Sequence, residues 1–596
     1  MREYFKAIDQ AFSDYIIEQE GGESDELRTL TLCLSFRASQ GHSALPVKLL
    51  DGCLLEHFLA DPNINDLVLD FSDYLNYAEK YPKTISCGDR KTPIILDKDL
   101  GLVYLNKYYH AEQVIVEFIQ KSAKTEALDE VLHEQIRGMF PKGKFTPDWQ
   151  RVAAFMALRS QFCVISGGPG TGKTYTVAKI LALLLKQNPD LNIDLLAPTG
   201  KAADRLCESI VKSSQSLLEA GLIDEGLNIP TQAQTIHRYL GVGTNLAKAE
   251  IAEKASDLIL LDESSMVSLP LFFYLLGALK EGCRVILLGD KDQLEAVETG
   301  NVLGDLTSGE DLNFFSESFC KEYSLLSSEP FNYVSTQQGV LQDVTLKLVH
   351  TFRFDDSSPI GALARIVNEP PKDLSLDQIK NLFSADQDDI ALHGLPDDKE
   401  SFVEKHASIK KFFDEYLDLL KDASPEAVLE KLKEIRILCA TRQGEFGVEM
   451  LNESLSSHFF KSADTDLYHG RCIMINRNEK ALNLFNGDVG VILHVDGIAK
   501  AYFMGSELRV FSSSILPEFE TAFAMTIHKS QGSQFNRVIM PLQSSEFLTR
   551  QLLYTGITRA SEHVEILASS NDILYAVKNS GQRYSGLKAK LKLNNF

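Results

Sequence analysis

The sequence predicts an α/β protein in which buried strands alternate with helices. Three apolar runs, residues 162–166, 258–261 and 285–288, are typical of buried strands, and each run is followed by glycine or acidic residues. Residues 175–186 instead carry apolar side chains at helical spacing directly after the first of these runs. A strand, a loop and a helix in this order form the basic unit of an α/β fold.

Composition excludes several classes of protein. The chain has 596 residues, of which 44% are apolar and 24% charged, so it contains enough apolar residues for packed cores and is not disordered. The length indicates about three or four domains. No apolar run is long enough to span a membrane, and the N-terminal residues lack a signal-peptide pattern, so we expect a soluble cytoplasmic protein. The nine scattered cysteines lack a CxxC spacing, which disfavours disulfide frameworks and zinc or iron–sulfur sites.

The charge of the chain is strongly negative. The chain contains 60 basic and 83 acidic residues, which give a formal net charge of −23. On composition alone, this acidity argues against a nucleic-acid partner, because phosphate backbones attract basic surfaces.

A phosphate-binding loop follows the first predicted strand. The segment GGPGTGKT matches the G-x-x-x-x-G-K-[ST] pattern, and a chance glycine turn would not also have a strand before it and a helix after it. Backbone N–H groups of such a loop close around phosphates, Lys173 reaches the β- and γ-phosphate oxygens, and Thr174 is placed to bind Mg²⁺. We therefore predict ATP and Mg²⁺ as cofactors. The predicted nucleotide-binding residues are Gln150, Gly167, Gly168, Pro169, Gly170, Thr171, Gly172, Lys173, Thr174 and Tyr175.

The second predicted strand ends in two carboxylates. An ATPase needs one carboxylate near the magnesium ion and another to activate water, and Asp262 and Glu263 supply them in these respective roles. Many strands end in acidic turns, so this signal is weak alone. Its position downstream of a phosphate-binding loop favours the catalytic interpretation.

Three further polar or aromatic residues lie near these strands, and two of them, Gln293 and Trp149, have two interpretations each. Gln293, after the third strand, has an amide that can bond the γ-phosphate or the attacking water, but the segment also fits an ordinary Gly-Asp turn. Gln150 offers the donor and acceptor needed to read an adenine edge. Trp149, the only tryptophan, is expected to be buried against the same domain or, as an alternative, to stack on a base.

Further motifs follow the phosphate-binding loop in a defined order. They are APTGKAA (197–203), TIHR (235–238), HTFRF (350–354), AMTIHKSQGSQF (524–535) and LYTGITRA (553–560), with LCATRQGEFG (438–447) and NLFNGDVG (483–490) between them. Together with the loop, they resemble the motif set of superfamily-1 helicases. They are most similar to the RecD branch, whose members move 5′ to 3′ along single-stranded DNA. The resemblance covers residues from about 140 to 570.

This resemblance implies roles for residues on a second motor domain. Arg353 and Arg559 correspond to two arginines that reach the γ-phosphate from across the interdomain cleft, where guanidinium groups stabilise the transferring phosphoryl group. The predicted catalytic set is therefore Lys173, Glu263, Gln293, Arg353 and Arg559. The alternative is that both arginines form surface salt bridges.

The resemblance also implies a track for single-stranded DNA. Hydroxyls, backbone amides and a few cations hold phosphates without reading sequence, as a translocating motor requires. The two histidines in this set could equally be core histidines with satisfied hydrogen bonds. The predicted DNA-binding residues are Thr199, Lys201, Thr235, His237, Thr526 and His528.

The resemblance predicts three domains and an insertion. Residues 111–345 and 346–596 are expected to form two RecA-like motor domains, with an SH3-like β-barrel insertion at about 465–518. Residues 1–110 are expected to form a mainly helical domain that docks onto a RecC-like partner, with segments 41–42 and 45–47 similar to the docking region. The alternative is an independent helical domain of another use.

The C-terminal residues are basic. No acidic residue occurs after residue 572, whereas the same segment contains five basic ones, Lys578, Arg583, Lys588, Lys590 and Lys592. Such a tail indicates either a DNA or partner contact or, more commonly, an exposed helix end.

The leading hypothesis is an ATP-dependent 5′-to-3′ DNA helicase that acts with RecB-like and RecC-like subunits on single-stranded and double-stranded DNA ends in break repair and recombination. The alternatives are a free-standing RecD-like helicase and a non-catalytic P-loop subunit. No nuclease constellation is evident, so nuclease activity is expected from a partner. The net charge then predicts weak, only slightly salt-dependent DNA binding by the isolated chain and favours function in a complex.

Overall fold

The computed structural model describes most of the chain. The described residues are 2–60, 64, 67–143, 145–243, 251–309, 312–335, 339–353, 358–383, 389–460, 465–505, 507–543, 545, 547–581 and 583–593. Phe354, the last residue of the HTFRF segment, lies outside them. None of the helices formed by the described residues has the length and apolar character that a membrane crossing requires.

The N-terminal region combines helices with a small sheet. Its elements are α1 (Ala7–Glu20), α2 (Asp25–Ser39), β1 (Ala44–Leu45), α3 (Val47–Leu50), α4 (Leu55–Leu59), α5 (Tyr77–Lys80), β2 (Ile85–Ser86), β3 (Ile94–Asp97) and β4 (Leu102–Leu105). The sheet has the strand order β1-β4-β3-β2. The structure contains helices in this region, as predicted. It also contains a sheet that the sequence does not predict, because strands of two to four residues are too short to show an alternating pattern.

The first motor sheet has six parallel strands in the order β10-β5-β9-β8-β6-β7. The three predicted strands are its neighbouring members β5, β9 and β8. The elements are α6 (Asn106–Ser122), α7 (Glu130–Met139), α8 (Trp149–Arg159), β5 (Phe162–Gly167), α9 (Lys173–Gln187), β6 (Ile193–Ala197), α10 (Gly200–Glu219), β7 (Ala233–Thr235), α11 (Ile236–Leu240), β8 (Leu258–Leu261), α12 (Leu269–Gly277), β9 (Arg284–Gly289), α13 (Val302–Leu306), α14 (Glu317–Ser327) and β10 (Thr345–Leu348).

The second motor sheet has five parallel strands in the order β11-β20-β19-β12-β18. A separate antiparallel sheet of order β16-β15-β14-β13-β17 lies between α20 and β18 in the chain. Its place agrees with the predicted insertion, and its SH3-like character stays a prediction. The elements are α15 (Pro359–Asn368), α16 (Leu376–Leu382), β11 (Ile390–His393), α17 (Lys399–Lys405), α18 (Ala407–Leu419), α19 (Pro425–Lys431), β12 (Ile435–Cys439), α20 (Val448–Phe459), β13 (Arg471–Ile475), β14 (Val489–Val495), β15 (Ile498–Met504), β16 (Leu508–Ser512), β17 (Phe519–Thr521), β18 (Ala524–Thr526), β19 (Phe535–Pro541), α21 (Arg550–Ile557), β20 (Ala560–Leu567), α22 (Ser570–Lys578) and α23 (Leu587–Leu593).

One of the basic C-terminal residues forms a buried ion pair. Lys590 on α23 is only 5% exposed, and its Nζ lies 2.8 Å from a carboxylate oxygen of the fully buried Glu112 on α6. The same ammonium group lies over the rings of Tyr104 and Tyr109, 4.5 and 4.2 Å from their centroids. The expectation of an exposed helix end is therefore wrong for Lys590, because charge pattern alone does not reveal a single buried acidic partner.

The same C-terminal segment covers part of the N-terminal region. The backbone N–H groups of Ser43 and Ala44 donate to the carbonyl oxygen of Tyr584, at 3.1 and 3.4 Å. The backbone N–H of Tyr584 in turn donates to Nδ1 of His42. Residues 41–47 are buried, so the segments predicted to resemble a docking region are covered by the chain itself.

We expect Lys590→Ala to destabilise the chain by about 3–5 kcal/mol, because it leaves the buried Glu112 carboxylate without its charged partner. Denaturant unfolding measures the change. Lys592→Ala is the matched control, since Lys592 is an exposed lysine of the same helix. Equal stabilities of the two variants would contradict the assignment of Lys590 as a structural residue.

Candidate nucleotide and nucleic-acid sites

The phosphate-binding loop lies between β5 and α9. Gly170 and Gly172 have positive φ angles of 78° and 79°, which glycine adopts without strain. The Nζ group of Lys173 donates to the carbonyl oxygens of Gly167 and Gly168, at 2.5 and 3.1 Å. The loop thus holds an ammonium group beside the N-terminus of α9, an arrangement that suits an anionic ligand.

The loop forms one wall of a cavity of about 740 Å³. Gln150 lies in this wall, and its Nε2 donates to the carbonyl oxygen of Thr171 at 3.2 Å. The rings of Phe145 and His350 stack at the cavity with centroids 4.0 Å apart. Trp149, in contrast, is buried and contacts Tyr333 edge to face, which confirms packing rather than base stacking as its role.

Two carboxylates follow β8 at the same edge of the sheet. The backbone N–H of Glu263 donates to Oδ1 of Asp262 at 2.9 Å, and Glu263 has a left-handed φ of 49°. Burial and the neighbouring Glu263 raise the pKa of Asp262 to about 6, although Lys173 opposes the shift. The pair therefore lies within the electrostatic reach of the phosphate-binding loop and would be neutralised by a bound cation.

The loop after β9 carries a second buried polar cluster. Gln293 is 4% exposed, and its Nε2 donates to Oδ2 of Asp290 at 3.0 Å. The hydroxyl of Tyr554, from the second motor, donates to the same oxygen at 3.1 Å. Within the described part of the chain, Oε1 of Gln293 is buried without a hydrogen-bond donor. This carbonyl oxygen can therefore accept a hydrogen bond from a ligand or water.

Three arginines approach this site from both motors. The pKa values of Arg353 and Arg205 are each lowered to about 10, mainly by burial and to a smaller extent by repulsion from Arg559. Burial also lowers the pKa of Arg559, although Glu263 and Asp290 oppose that shift. Such crowding of buried guanidinium groups favours an anion between them.

Arg559 is not a surface arginine. It is 4% exposed, and its guanidinium group donates to the carbonyl oxygens of Thr555 and Ser533. Arg353 lies against the phosphate-binding loop. Its Cβ atom is so close to Gly170 that a Cβ atom added to this glycine would lie only 2.2 Å away. The structure therefore brings both predicted arginines to the cleft between the motors.

The predicted DNA-binding residues fall into two groups. Thr199 follows β6 and Thr235 is the last residue of the neighbouring β7, and Lys201 and His237 lie just beyond them. Thr526 is the last residue of β18 in the other motor sheet, and His528 follows it. Each motor therefore carries one group of predicted DNA-binding residues, and both groups lie at the carboxyl ends of strands.

Several of these side chains also have local partners. The hydroxyls of Thr199, Thr235 and Thr526 accept hydrogen bonds from backbone N–H groups three residues later, each at 3.2 Å. Lys201 donates to the carbonyl oxygen of Gly487 in the insertion, and burial lowers its pKa to about 7. Lys201 is therefore not free for phosphates in this conformation.

Asp290, Tyr554 and Arg205 were not among the predicted site residues. Asp290 and Tyr554 lie inside segments singled out from the sequence, but only folding shows that they bond each other across the cleft. Arg205 lies one helical turn after Lys201 on α10. The described residues contain no group of three or more His, Cys, Asp or Glu side chains arranged to hold a metal ion by themselves.

Three family models match the chain. The N-terminal domain of the RecBCD enzyme subunit RecD matches residues 1–100, an AAA domain matches residues 150–299, and a UvrD-like helicase C-terminal domain matches residues 521–567. These matches cover the N-terminal region, the phosphate-binding loop with β8 and β9, and the segment around β18 and β20.

Whole-chain relatives agree with these models. The RecBCD enzyme subunit RecD of Haemophilus influenzae is 32% identical over 82% of this chain and 80% of its own length. The same subunit of Mycobacterium tuberculosis is 31% identical over 96% of this chain and 92% of its own length. The ATP-dependent RecD2 DNA helicase of Deinococcus radiodurans is 23% identical over 92% of this chain and 67% of its own length. The chain belongs to the RecD family of RecBCD enzyme subunits.

Proposed function

We propose that this chain is an ATP-dependent DNA helicase that moves 5′ to 3′ on single-stranded DNA. In this proposal it acts in the cytoplasm as one subunit of a heterotrimer with RecB-like and RecC-like chains, on DNA ends that require repair or recombination. The proposal rests on the split site, in which Lys173, Glu263 and Gln293 of the first motor lie on one side of the cleft and Arg559 of the second motor on the other, with Arg353 in the segment that joins β10 to α15.

The first motor would bind the nucleotide. Lys173 and the backbone N–H groups of residues 167–174 would hold its phosphates, and Gln150 would lie beside its base. Thr174 and Asp262 would hold Mg²⁺, which neutralises charge on the β- and γ-phosphate oxygens. The raised pKa of Asp262, about 6, supports this role. Burial makes the charged carboxylate unfavourable, and a bound cation would stabilise it.

Hydrolysis would require both motors. Glu263 would accept a proton from the attacking water, and the buried Oε1 of Gln293 would accept a hydrogen bond that orients this water. Arg353 and Arg559 would stabilise the charge that develops on the transferring phosphoryl group. Since Arg559 follows α21 of the second motor, the site would be complete only when the cleft is closed.

The DNA track would run over the strand ends of both motors. Thr199, Lys201, Thr235 and His237 would contact the strand from one side, and Thr526 and His528 from the other. Opening and closing of the cleft would then move the two groups relative to each other along the DNA. A net charge of −23 leaves few cations for phosphates, which supports dependence on partner subunits.

We expect Glu263→Gln to keep nucleotide binding but lower DNA-stimulated ATP hydrolysis by about a hundredfold or more, because the amide cannot accept the proton. A single-turnover hydrolysis assay with single-stranded DNA measures the effect. Glu281→Gln, a change of an exposed glutamate in the same motor, is the matched control. A Glu263→Gln rate equal to that of the control would refute the assignment of the base.

We expect the full chain to displace a strand only from a duplex with a single-stranded 5′ tail. A motor with a fixed order of contacts on its two domains moves in one direction, and the resemblance to RecD helicases implies that this direction is 5′ to 3′. Strand-displacement assays on matched duplexes with a 5′ or a 3′ tail measure this. Preferential unwinding of the 3′-tailed substrate would contradict the proposed direction.

A further inference from the structure

Lys179 is a nearly buried lysine in the wall of the nucleotide cavity. It lies on α9, six residues after Lys173, so a rise of about 1.5 Å per residue places it about 9 Å further along the helix axis. It is only 7% exposed, yet it lines the same cavity of about 740 Å³ as the phosphate-binding loop. Since Lys173 is placed for the phosphates, a second lysine at this distance requires another explanation.

Two aromatic rings lie beside the ammonium group of Lys179. Its Nζ lies 4.5 Å from the centroid of the Phe140 ring and 4.8 Å from that of the Tyr175 ring. The faces of aromatic rings attract cations, so the two rings favour the charged form and hold it in place. Among the residues that the structure describes, none accepts a hydrogen bond from this Nζ or forms an ion pair with it. Its three N–H donors are therefore open to a ligand.

Burial acts against the charge of this lysine. Burial lowers the pKa of Lys179, although the carboxylate of Asp148 opposes the shift. Asp148 lines the same cavity, and its Oδ1 accepts hydrogen bonds from the backbone N–H groups of Gln150 and Arg151. A buried ammonium group without an acceptor is unfavourable, so a ligand that offers an acceptor at this position would gain affinity.

The other groups of this part of the cavity suit a flat base. Phe145 and His350 contribute stacked rings, and Gln150 contributes an amide close to Gly172. A purine base has flat faces and ring nitrogens that accept hydrogen bonds from cationic side chains. The base is also the end of a nucleotide remote from its terminal phosphate, as Lys179 is remote from Lys173.

We propose that Lys179 is a specificity-determining residue that donates a hydrogen bond to a ring nitrogen of the bound purine base. The inference rests on the proposed ATP-dependent function and deepens it by naming a contact to the base. Phe140 and Tyr175 are positioning residues, since their rings hold the ammonium group at the cavity. A hydrogen bond from a charged donor is stronger than one between neutral groups, so the contact contributes to nucleotide affinity.

The first test separates the base from the phosphates. Isothermal titration calorimetry with the full chain measures the dissociation constants of ADP and of inorganic pyrophosphate, which has no base. We expect Lys179→Met to weaken ADP binding by about tenfold or more, the scale of a lost hydrogen bond to a charged group, and to weaken pyrophosphate binding far less. Lys186→Met is the matched control, because Lys186 is an exposed lysine of the same helix.

Nucleotides that lack one ring nitrogen identify the contact itself. The analogues are 1-deaza-ADP, 3-deaza-ADP and 7-deaza-ADP. We expect one of them to bind the unmodified chain about tenfold more weakly than ADP, and we expect Lys179→Met to bind ADP and that analogue equally. A nitrogen that bonds another residue, such as Gln150, would instead show the same loss in both chains.

Two results would overturn the proposal. One is equal weakening of ADP and pyrophosphate binding in Lys179→Met, which would indicate a role in packing or in long-range charge. The other is a set of analogue losses that Lys179→Met leaves unchanged. If thermal unfolding shows that Lys179→Met is not folded, Lys179→Leu decides the question by the same two criteria.

The outcomes also separate this contact from the proposed function. If the unmodified chain hydrolyses ATP in response to DNA, and Lys179→Met binds ADP as tightly as the Lys186→Met control, the base contact alone is contradicted. An unmodified chain that binds neither ADP nor ATP would contradict the helicase function and the base contact together.

Discussion

The structure depends on the meeting of opposite charges in the cleft between two parallel sheets. Burial and repulsion from Arg559 lower the pKa values of Arg205 and Arg353, and burial lowers that of Arg559 against the opposing effect of Glu263 and Asp290. Charges that have left water are stable only when partners satisfy them. This crowding of buried charges therefore favours a bound phosphate ligand in the cleft.

The contacts around this cleft lead from the phosphate-binding loop to the turn that carries the proposed DNA contacts. The phosphate-binding loop is followed by the 290–294 loop, then by the buried core of the second motor, and then by the turn that carries Thr526 and His528. Each step is a hydrogen bond or a packed side chain rather than a flexible linker. The C-terminal segment adds a further connection, since it begins in the second motor and ends in the buried ion pair of Lys590 with Glu112.

The parts of the site that lie close together in sequence were predictable. A glycine-rich loop between strand and helix, and carboxylates at a strand end, carry their chemistry in local spacing, so the sequence alone points to Lys173, Asp262 and Glu263. Contacts across the cleft were not predictable, because nothing local to Leu294 shows that its backbone is bound by Thr555 and Gln531. The buried role of Lys590 and the covered segment 41–47 were missed for the same reason, since both depend on residues hundreds of positions away.

If hydrolysis needs a side chain from each motor at one site, removal of Arg559 should stop the chemical step without releasing the nucleotide. The measurement is the single-turnover rate of ATP hydrolysis by Arg559→Ala at saturating ATP with single-stranded DNA. We expect nucleotide binding to be retained while the rate falls by about a thousandfold or more, the scale observed when an arginine is removed from a phosphoryl-transfer site. A rate close to that of the unmodified chain would contradict this expectation.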